Sequence, residues 1–451
     1  MNTNDRCFRY SENSYEISII GIVESIIEIF KCIVYGNQIY VCKDGIYRPE
    51  SGEIRKFVTD KLNEYGIRTN IEKRVLSYLN EINARILSSN NFDEYPFNSY
   101  NHLIPFKNGV VSIDYQTSRI DLLAHDANYR FTYRLNVDYD PSADSSFITG
   151  VLKDWMGDLW WVLVQIIAQC FFQSQGRVFK KAYLIIGRKD AGKSTYLDLL
   201  SSVFSDDLIA KVDFQRLTSN NFALAQLEGK FINLADDQPA FQMKETGTFK
   251  KLTGSATQNI EVKYEMPRVA AVNPVYIFAA NDFPKLPKGE DLNPLLDRFE
   301  IILFDRKFEL NPSFSDKLTD PENLSALLNL ALQEMIKINH NSLKLKSIVR
   351  EVTNYELWVL HGNLLYRNFV LEHFVKDDGA YLTKDTWYNV YLMHCVDVDL
   401  KPYDKTVFFR KLSELGITDT RITRDGERVR VIKGWDLKLE VAKMVNQDNG
   451  N

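Results

Sequence analysis

Nine residues, Gly187-Arg188-Lys189-Asp190-Ala191-Gly192-Lys193-Ser194-Thr195, follow directly on the apolar run Ala182–Ile186. They fit G-x-x-x-x-G-K-[ST], and the chemistry that pattern serves is the holding of phosphates. Without side chains at Gly187 and Gly192, the loop backbone through Asp190 and Ala191 can wrap phosphate oxygens with its N–H groups. Lys193 would bring a point charge to the β- and γ-phosphates of ATP. The Ser194 hydroxyl would bind Mg²⁺, and Thr195 completes the nucleotide-contacting stretch. A helix begun at Lys193 turns the positive end of its dipole toward the anion. The alternative is a glycine-rich turn with no ligand.

A second group of polar residues stands at the ends of apolar runs. Phe231–Leu234 leads to Asp236 and Asp237. One carboxylate there, Asp236, can hold the metal, and the other, Asp237, can take a proton from the attacking water. Asn281 ends the run "VYIFAAN", where its amide could orient that water; a turn-forming Asn before Pro284 is the plainer reading. Arg298 precedes the run "FEIILF" and could reach a neighbouring subunit's nucleotide as an arginine finger. Its alternative is a surface arginine paired with Asp297.

These residues need a sheet to position them. The runs "KAYLIIG", "GKFINLADD", "NPVYIFAAND" and "FEIILF", separated by helical stretches, read as buried strands of a parallel sheet with crossovers. Before them, residues 1 to about 147 read as an α+β unit. It comprises an Ile-rich helix over 14–34, a hairpin turning at Asp44-Gly45, two amphipathic helices, and a strand pair in "NHLIPFKNGVVSID". The polar stretch Tyr139–Phe147 marks a boundary. The core then runs over 148–345. From 355 to 440 the order is helix, helix and a basic hairpin turning at Asp425-Gly426, which is the order of a winged helix-turn-helix module. The fold class expected is therefore α/β, with an N-terminal α+β domain and a C-terminal winged-helix domain.

Composition narrows the partners. The 451 residues carry a net charge of −5, so bulk charge does not draw this chain to a polyanion. Local charge does: Lys405–Lys433 hold eight basic residues against four acidic ones, with Arg410, Lys411, Arg424, Arg428 and Arg430 among the eight. Five cysteines without a Cys-x-x-Cys pair argue against a disulfide framework or a zinc finger. The start lacks a signal-peptide h-region, and the longest apolar run, Leu159–Phe172, is too short to span a bilayer. An intracellular chain without membrane attachment is expected.

Taken in order, the cradle, the Asp-Asp strand, "KKLTGSATQNIEVKYE", the Asn281 strand and Arg298 resemble a superfamily 3 helicase of the AAA+ class. More narrowly, the chain is similar to the helicase half of phage, plasmid and poxvirus primase-helicases. "IPFKNGVVSID" and "LAHDANYRFTYRLNVDYDPSAD" resemble the domain before the ATPase in that family, and "KTVFFRKLSELGI…RVRVIKGW" its winged helix. The resemblance implies ATP and Mg²⁺ as cofactors and a hexameric ring. It also implies movement 3′ to 5′ on single-stranded DNA, unwinding of forked duplex, and a separately encoded primase or polymerase as partner. It places Lys263, in "NIEVKYEMP", on a hairpin that enters the ring channel, and Lys251 near nucleotide across the subunit interface. Two departures stand out. No paired-acid strand motif of a primase catalytic domain lies upstream, and Asp297-Arg298 stands where several relatives have two arginines.

Two other classes compete. A small-molecule kinase would need a basic substrate lid after the cradle, and none follows. An ATP-switched DNA-binding or packaging protein shares the ATPase core and differs in not unwinding forks.

Overall fold

The structure, a computed structural model, describes residues 6–442 apart from 12–13, 65–70, 90, 173–175, 177, 239–246, 264–265, 285–292, 310, 351–352, 355–356, 359–368, 371, 398–401, 425–426 and 440. It is a mixed α/β chain with several sheets. Two compact units divide it: residues 1–238, 245–279 and 302–348 make the first, and 239–244, 280–301 and 349–451 the second.

The first unit begins with a small α+β part. Strands Gln38–Lys43 and Ile46–Pro49 pair across Asp44 and Gly45, whose φ values of 51° and 77° give the two-residue turn its left-handed pair. The 14–34 stretch is not one helix. Ser14–Ile17 is a strand, and the helix is Ile19–Phe30. Ser18 starts it by accepting the Gly21 N–H on its hydroxyl, and Lys31 at φ 49° ends it. Apolar periodicity alone did not reveal these caps. Helices Glu53–Glu64 and Ile71–Leu87 follow as expected. Ile22, Ile26, Val34, Val41, Val58 and Ile82 share one apolar cluster here.

The strand pair Leu103–Phe106 and Gly109–Asp114 gains a third member, Arg119–Leu123. Its inward residues, with Leu135 and Tyr139, pack in the same cluster as helices Ser146–Met156, Trp161–Phe172 and Pro321–His340. The run ending at Phe172 is thus a core helix, buried from Val162 onward. Among the described residues no single helix is long and apolar enough to cross a membrane.

Five parallel strands form the central sheet, in the order Ile209–Ala210, Ile232–Ala235, Val275–Ala280, Ala182–Gly187, Phe299–Phe304. Nearly every position in them is buried, as strands covered by helices on both faces must be. The strand leading to the cradle, Ala182–Gly187, lies between later strands: the chain first runs from it to one edge of the sheet, and after Val275–Ala280 it crosses to the other edge at Phe299–Phe304. Such a switch point opens a crevice at the carboxyl ends of the strands.

In the second unit, strand Phe374–Thr383 pairs with Glu427–Leu437, which pairs with Asp419–Arg424, all antiparallel. Helices Lys384–Asp397 and Lys405–Glu414 pack on this sheet through Trp387, Phe408 and Leu412. Trp387 stacks on Phe374 with ring centroids 3.8 Å apart. The Asp425-Gly426 turn, and most of the first helix expected in this unit, with residues 359–368 among it, lie outside the described residues. The strand Phe374–Thr383 was not expected, because "KDDG" in its middle reads as a turn. Its pairing shifts register between Lys376 and Tyr381, where those residues fall.

Candidate nucleotide site

The cradle strand ends at Gly187 and the cradle helix is Lys193–Val203. Two backbone conformations shape the loop between them: Asp190 has φ 63° and Gly192 φ 90°. Glycine is required at both ends for a steric reason. A Cβ at Gly187 would lie 2.5 Å from the Phe304 carbonyl oxygen, and one at Gly192 would lie 2.5 Å from the Trp155 indole nitrogen. Trp155 is itself buried and packs against Tyr196 and Phe304, both at 5.9 Å between centroids, so it has little room to yield. Gly192 is the N-cap and offers no side-chain acceptor to the first turn. The cradle helix therefore begins without the hydroxyl or carboxylate that usually takes its first N–H groups.

Gly192→Ala forces overlap with Trp155 and a left-handed alanine. We expect a loss of about 1–3 kcal/mol in stability and weaker nucleotide binding. Calorimetric melting and a fluorescent-nucleotide titration would show it. Unchanged values in both would mean that the loop reshapes freely.

Lys193 is buried, and its ammonium donates to the Gly187 and Arg188 carbonyl oxygens, each at 2.8 Å. Burial pushes its pKa down, while the carboxylates of Asp236, Asp237 and Asp190 hold it up. This electrostatic coupling brings the two halves of the sequence reading to one place. Ser194 is exposed and Thr195 half-buried on the helix's first turn, and Ala191 is buried in the loop. A buried cation, an uncapped helix start and two exposed carboxylates suit a phosphate chain with its divalent ion. Lys193 and the loop would hold the phosphates. Ser194 and Asp236 would hold the ion.

Asp236 and Asp237 follow the strand Ile232–Ala235 directly and are exposed. Asp237 has φ 42°, and its N–H donates to Asp236 Oδ1 at 2.8 Å. Asp tolerates this left-handed region better than most residues, and an outlier beside a cradle is a common mark of a working site. Two residues that the sequence reading passed over fix the pair. Gln238 is buried: its Nε2 donates to the Asp236 carbonyl at 3.2 Å, its Oε1 accepts the Phe214 N–H at 2.9 Å, and its own N–H reaches the Ala279 carbonyl at 2.9 Å. Asn233, buried inside the strand, exchanges two 2.9 Å bonds with the Val212 backbone. The signal was available, since an amide within "FINLA" must find partners once buried. Asp198, one turn further along the cradle helix, was also missed. Partial burial raises its pKa, and the Asp236 charge raises it further.

The remaining sites lie further along the chain. Lys251 is exposed in the last turn of helix Gly247–Gly254. Thr257–Ile260 and Arg268–Ala271 form an antiparallel hairpin, with Ile260 opposite Arg268. Lys263 is exposed in the loop that joins them. The first strand stops at Ile260, Val262 is half-buried in the loop, and Tyr264 lies outside the described residues. Met266 and Val269 are 85% and 66% exposed on the same hairpin. Where the second strand leaves the loop, Arg268 grips Glu228 with both terminal nitrogens, at 2.5 and 2.6 Å.

Asn281 and Arg298 belong to the second unit. Asn281 follows strand Val275–Ala280 and is exposed; Arg298 is half-buried in the turn between helix Asn293–Leu296 and strand Phe299–Phe304. Arg410 is exposed and Lys411 half-buried on helix Lys405–Glu414. Across the two basic strands Arg421 faces Arg430, Thr423 faces Arg428, and Arg424 faces Glu427. Period-two alternation therefore puts Arg421, Arg428 and Arg430 on one face. Asp419 lies 3.5 Å from Arg430. Elsewhere in the first unit a cavity of about 980 Å³, lined by Lys43, Arg48, Lys107, Arg134 and Ser205 among others, includes none of the cradle residues.

Residues 23–161 match the family described as D5 N terminal like. Residues 185–298 match a family of unknown function, DUF5906. That second match runs from the cradle strand through the Asp pair and the hairpin to Arg298. No curated protein matches the chain. Among solved structures, the A form apo structure of the NrS-1 C terminal region is 13% identical, with 93% of this chain and all of that one covered and a TM-score of 0.45. An apo structure of the same region gives 13% identity, the same coverage and a TM-score of 0.43. Likeness at that level carries no inference here.

Proposed function

We propose that this chain is an ATP-driven DNA motor of a viral or plasmid replicon, a superfamily 3 helicase of the AAA+ class. It would act as a hexameric ring that moves 3′ to 5′ on single-stranded DNA and opens the fork. The observation that carries the proposal is the buried Lys193 ammonium, tied to the loop carbonyls and coupled to Asp236 and Asp237 at the carboxyl ends of a parallel sheet. The switch point beside the cradle strand supports a nucleotide there. The D5 N terminal like match over 23–161 supports the narrower reading, because it falls on the segment assigned by resemblance to the domain before the ATPase.

In this mechanism the phosphates replace the loop carbonyls as partners of Lys193. ATP with Mg²⁺ supplies the reacting phosphoryl group. Asp236 and Ser194 would hold the Mg²⁺, which would offset charge on the phosphates; Asp237 would accept the water's proton, and Asn281 would orient that water. Arg298 acts on the neighbouring subunit's nucleotide, and Lys251 lies near it across the interface. Lys263 grips one DNA phosphate in the channel, with Met266 and Val269 beside it for apolar contact with bases. The C-terminal unit serves as a winged helix that engages DNA through Arg410, Lys411, Arg424, Arg428 and Arg430.

The test is ATP hydrolysis with and without single-stranded DNA, alongside unwinding of a fork with a 3′ tail. Stimulation and unwinding are expected together. DNA-stimulated hydrolysis without unwinding would favour the switch or packaging ATPase instead, and no hydrolysis would reject both. A further arm reads the arginine face. Changing Arg421, Arg428 and Arg430 to Ala should flatten the dependence of log affinity on log salt by about 2 for single strands. An unchanged slope assigns those arginines to solvent.

A further inference from the structure

We infer that Glu372, His373 and His394 form a binding site for a late first-row divalent ion of the Zn²⁺ type, separate from any ion held with nucleotide. The donor atoms of the three residues all lie within 4.8 Å of one another. His373 Nε2 stands 2.9 Å from His394 Nδ1, and His394 Nδ1 stands 3.7 Å from Glu372 Oε2. Two ligands on a tetrahedral ion with bonds of about 2.0–2.1 Å sit roughly 3.3 Å apart, and the two measured separations fall on either side of that value. Small movements reach the geometry, and Glu372, whose side chain is 61% exposed, is the ligand able to make the largest one.

The two imidazoles are held in place by their surroundings. His394 is buried on helix Lys384–Asp397. The His373 carbonyl accepts the Lys438 N–H at 3.0 Å, which fixes the backbone at the start of strand Phe374–Thr383. The Phe369 ring packs against both imidazoles at 5.4 Å, and the imidazoles meet edge to face at 5.0 Å. Preset donors lower the cost of ordering a site. Two neutral imidazoles and a carboxylate suit Zn²⁺ and its neighbours, whereas Mg²⁺ prefers an all-oxygen shell with several waters. Three protein ligands leave one position, on the exposed Glu372 side, for water. The ion would clasp the helix to the strand start and so brace the basic sheet.

The full chain, stripped with chelator and desalted, is titrated with Co²⁺ while its visible d–d absorption is followed, in buffer without nucleotide. A band saturating at one equivalent is expected. Zn²⁺ should abolish it, and a large excess of Mg²⁺ should not. Glu372→Gln and His373→Gln, both away from the buried position, should each weaken Zn²⁺ binding by about a hundredfold or more while far-ultraviolet circular dichroism stays unchanged. Absence of the band, or a band that survives both substitutions, overturns the site. Neither result depends on ATP hydrolysis, so the motor assignment stands or falls separately.

Discussion

Lys193→Ala is expected to lower ATP turnover about a thousandfold, a loss of about 4 kcal/mol of transition-state stabilisation. The ammonium is the positive side chain buried in the loop, and water cannot replace it at low local dielectric. Nucleotide binding should weaken as well, because the charge acts on bound phosphates before and during transfer. The variant also strips the Gly187 and Arg188 carbonyls of their donor, so a melting curve must accompany the assay. Asp237→Asn separates the roles: binding should survive, since Asp236 remains for the metal, and turnover should be lost. Wild-type hydrolysis by Lys193→Ala would remove the site from this loop. The same variant tests Arg298. In rings mixed from Lys193→Ala and Arg298→Ala subunits, some interfaces join an intact cradle to an intact finger. Activity that merely follows the count of doubly intact subunits would rule out action across the interface.

Lys263→Ala should leave basal hydrolysis intact and cut fork unwinding by a factor of ten or more, together with stimulation by DNA. The expected size follows from the loss of one charge-assisted phosphate grip per subunit, about 1.5–3 kcal/mol before salt screening. Lys263 is exposed on a hairpin loop and has no place among the groups that couple to Lys193. Any effect on basal turnover would therefore be indirect. The contact is independent of base sequence, so the defect should shrink as salt rises and weakens the wild type. Unwinding at the wild-type rate would make Lys263 a solvated loop residue and move the contact to Lys250; Arg268 is already committed to Glu228.

What was legible in the sequence was whatever local types dictate. Gly187 and Gly192 announced the loop, and the apolar runs announced the central strands, because backbone freedom and full burial leave marks on single positions. Contacts between distant positions left none. Nothing near Gly192 says that Trp155 will lie beneath it, nor that Phe304 will close on Gly187. The edge strand Ile209–Ala210 is too short to show a period. Strand Phe374–Thr383 hides behind "KDDG", where a register shift absorbs the turn-like residues. In the site itself the cradle and the Asp pair were readable. Gln238, Asn233 and Asp198 were not picked out, since their value depends on what burial places beside them.

The Arg268–Glu228 grip has a mechanical implication. Glu228 stands at one end of a nine-residue stretch, at most roughly 30 Å long, whose other end is Asp236. One length of chain thus behaves as a tie-rod, anchored by an ionic joint to the loop end of the hairpin and ending at the carboxylates that couple to Lys193. For a hairpin that grips DNA, force then passes through two ionic joints in series, one to the nucleic acid and one internal. Both partners of the internal joint are partly exposed, so dissolved ions loosen it too. Such a motor would lose grip with salt more steeply than its phosphate contacts alone would dictate.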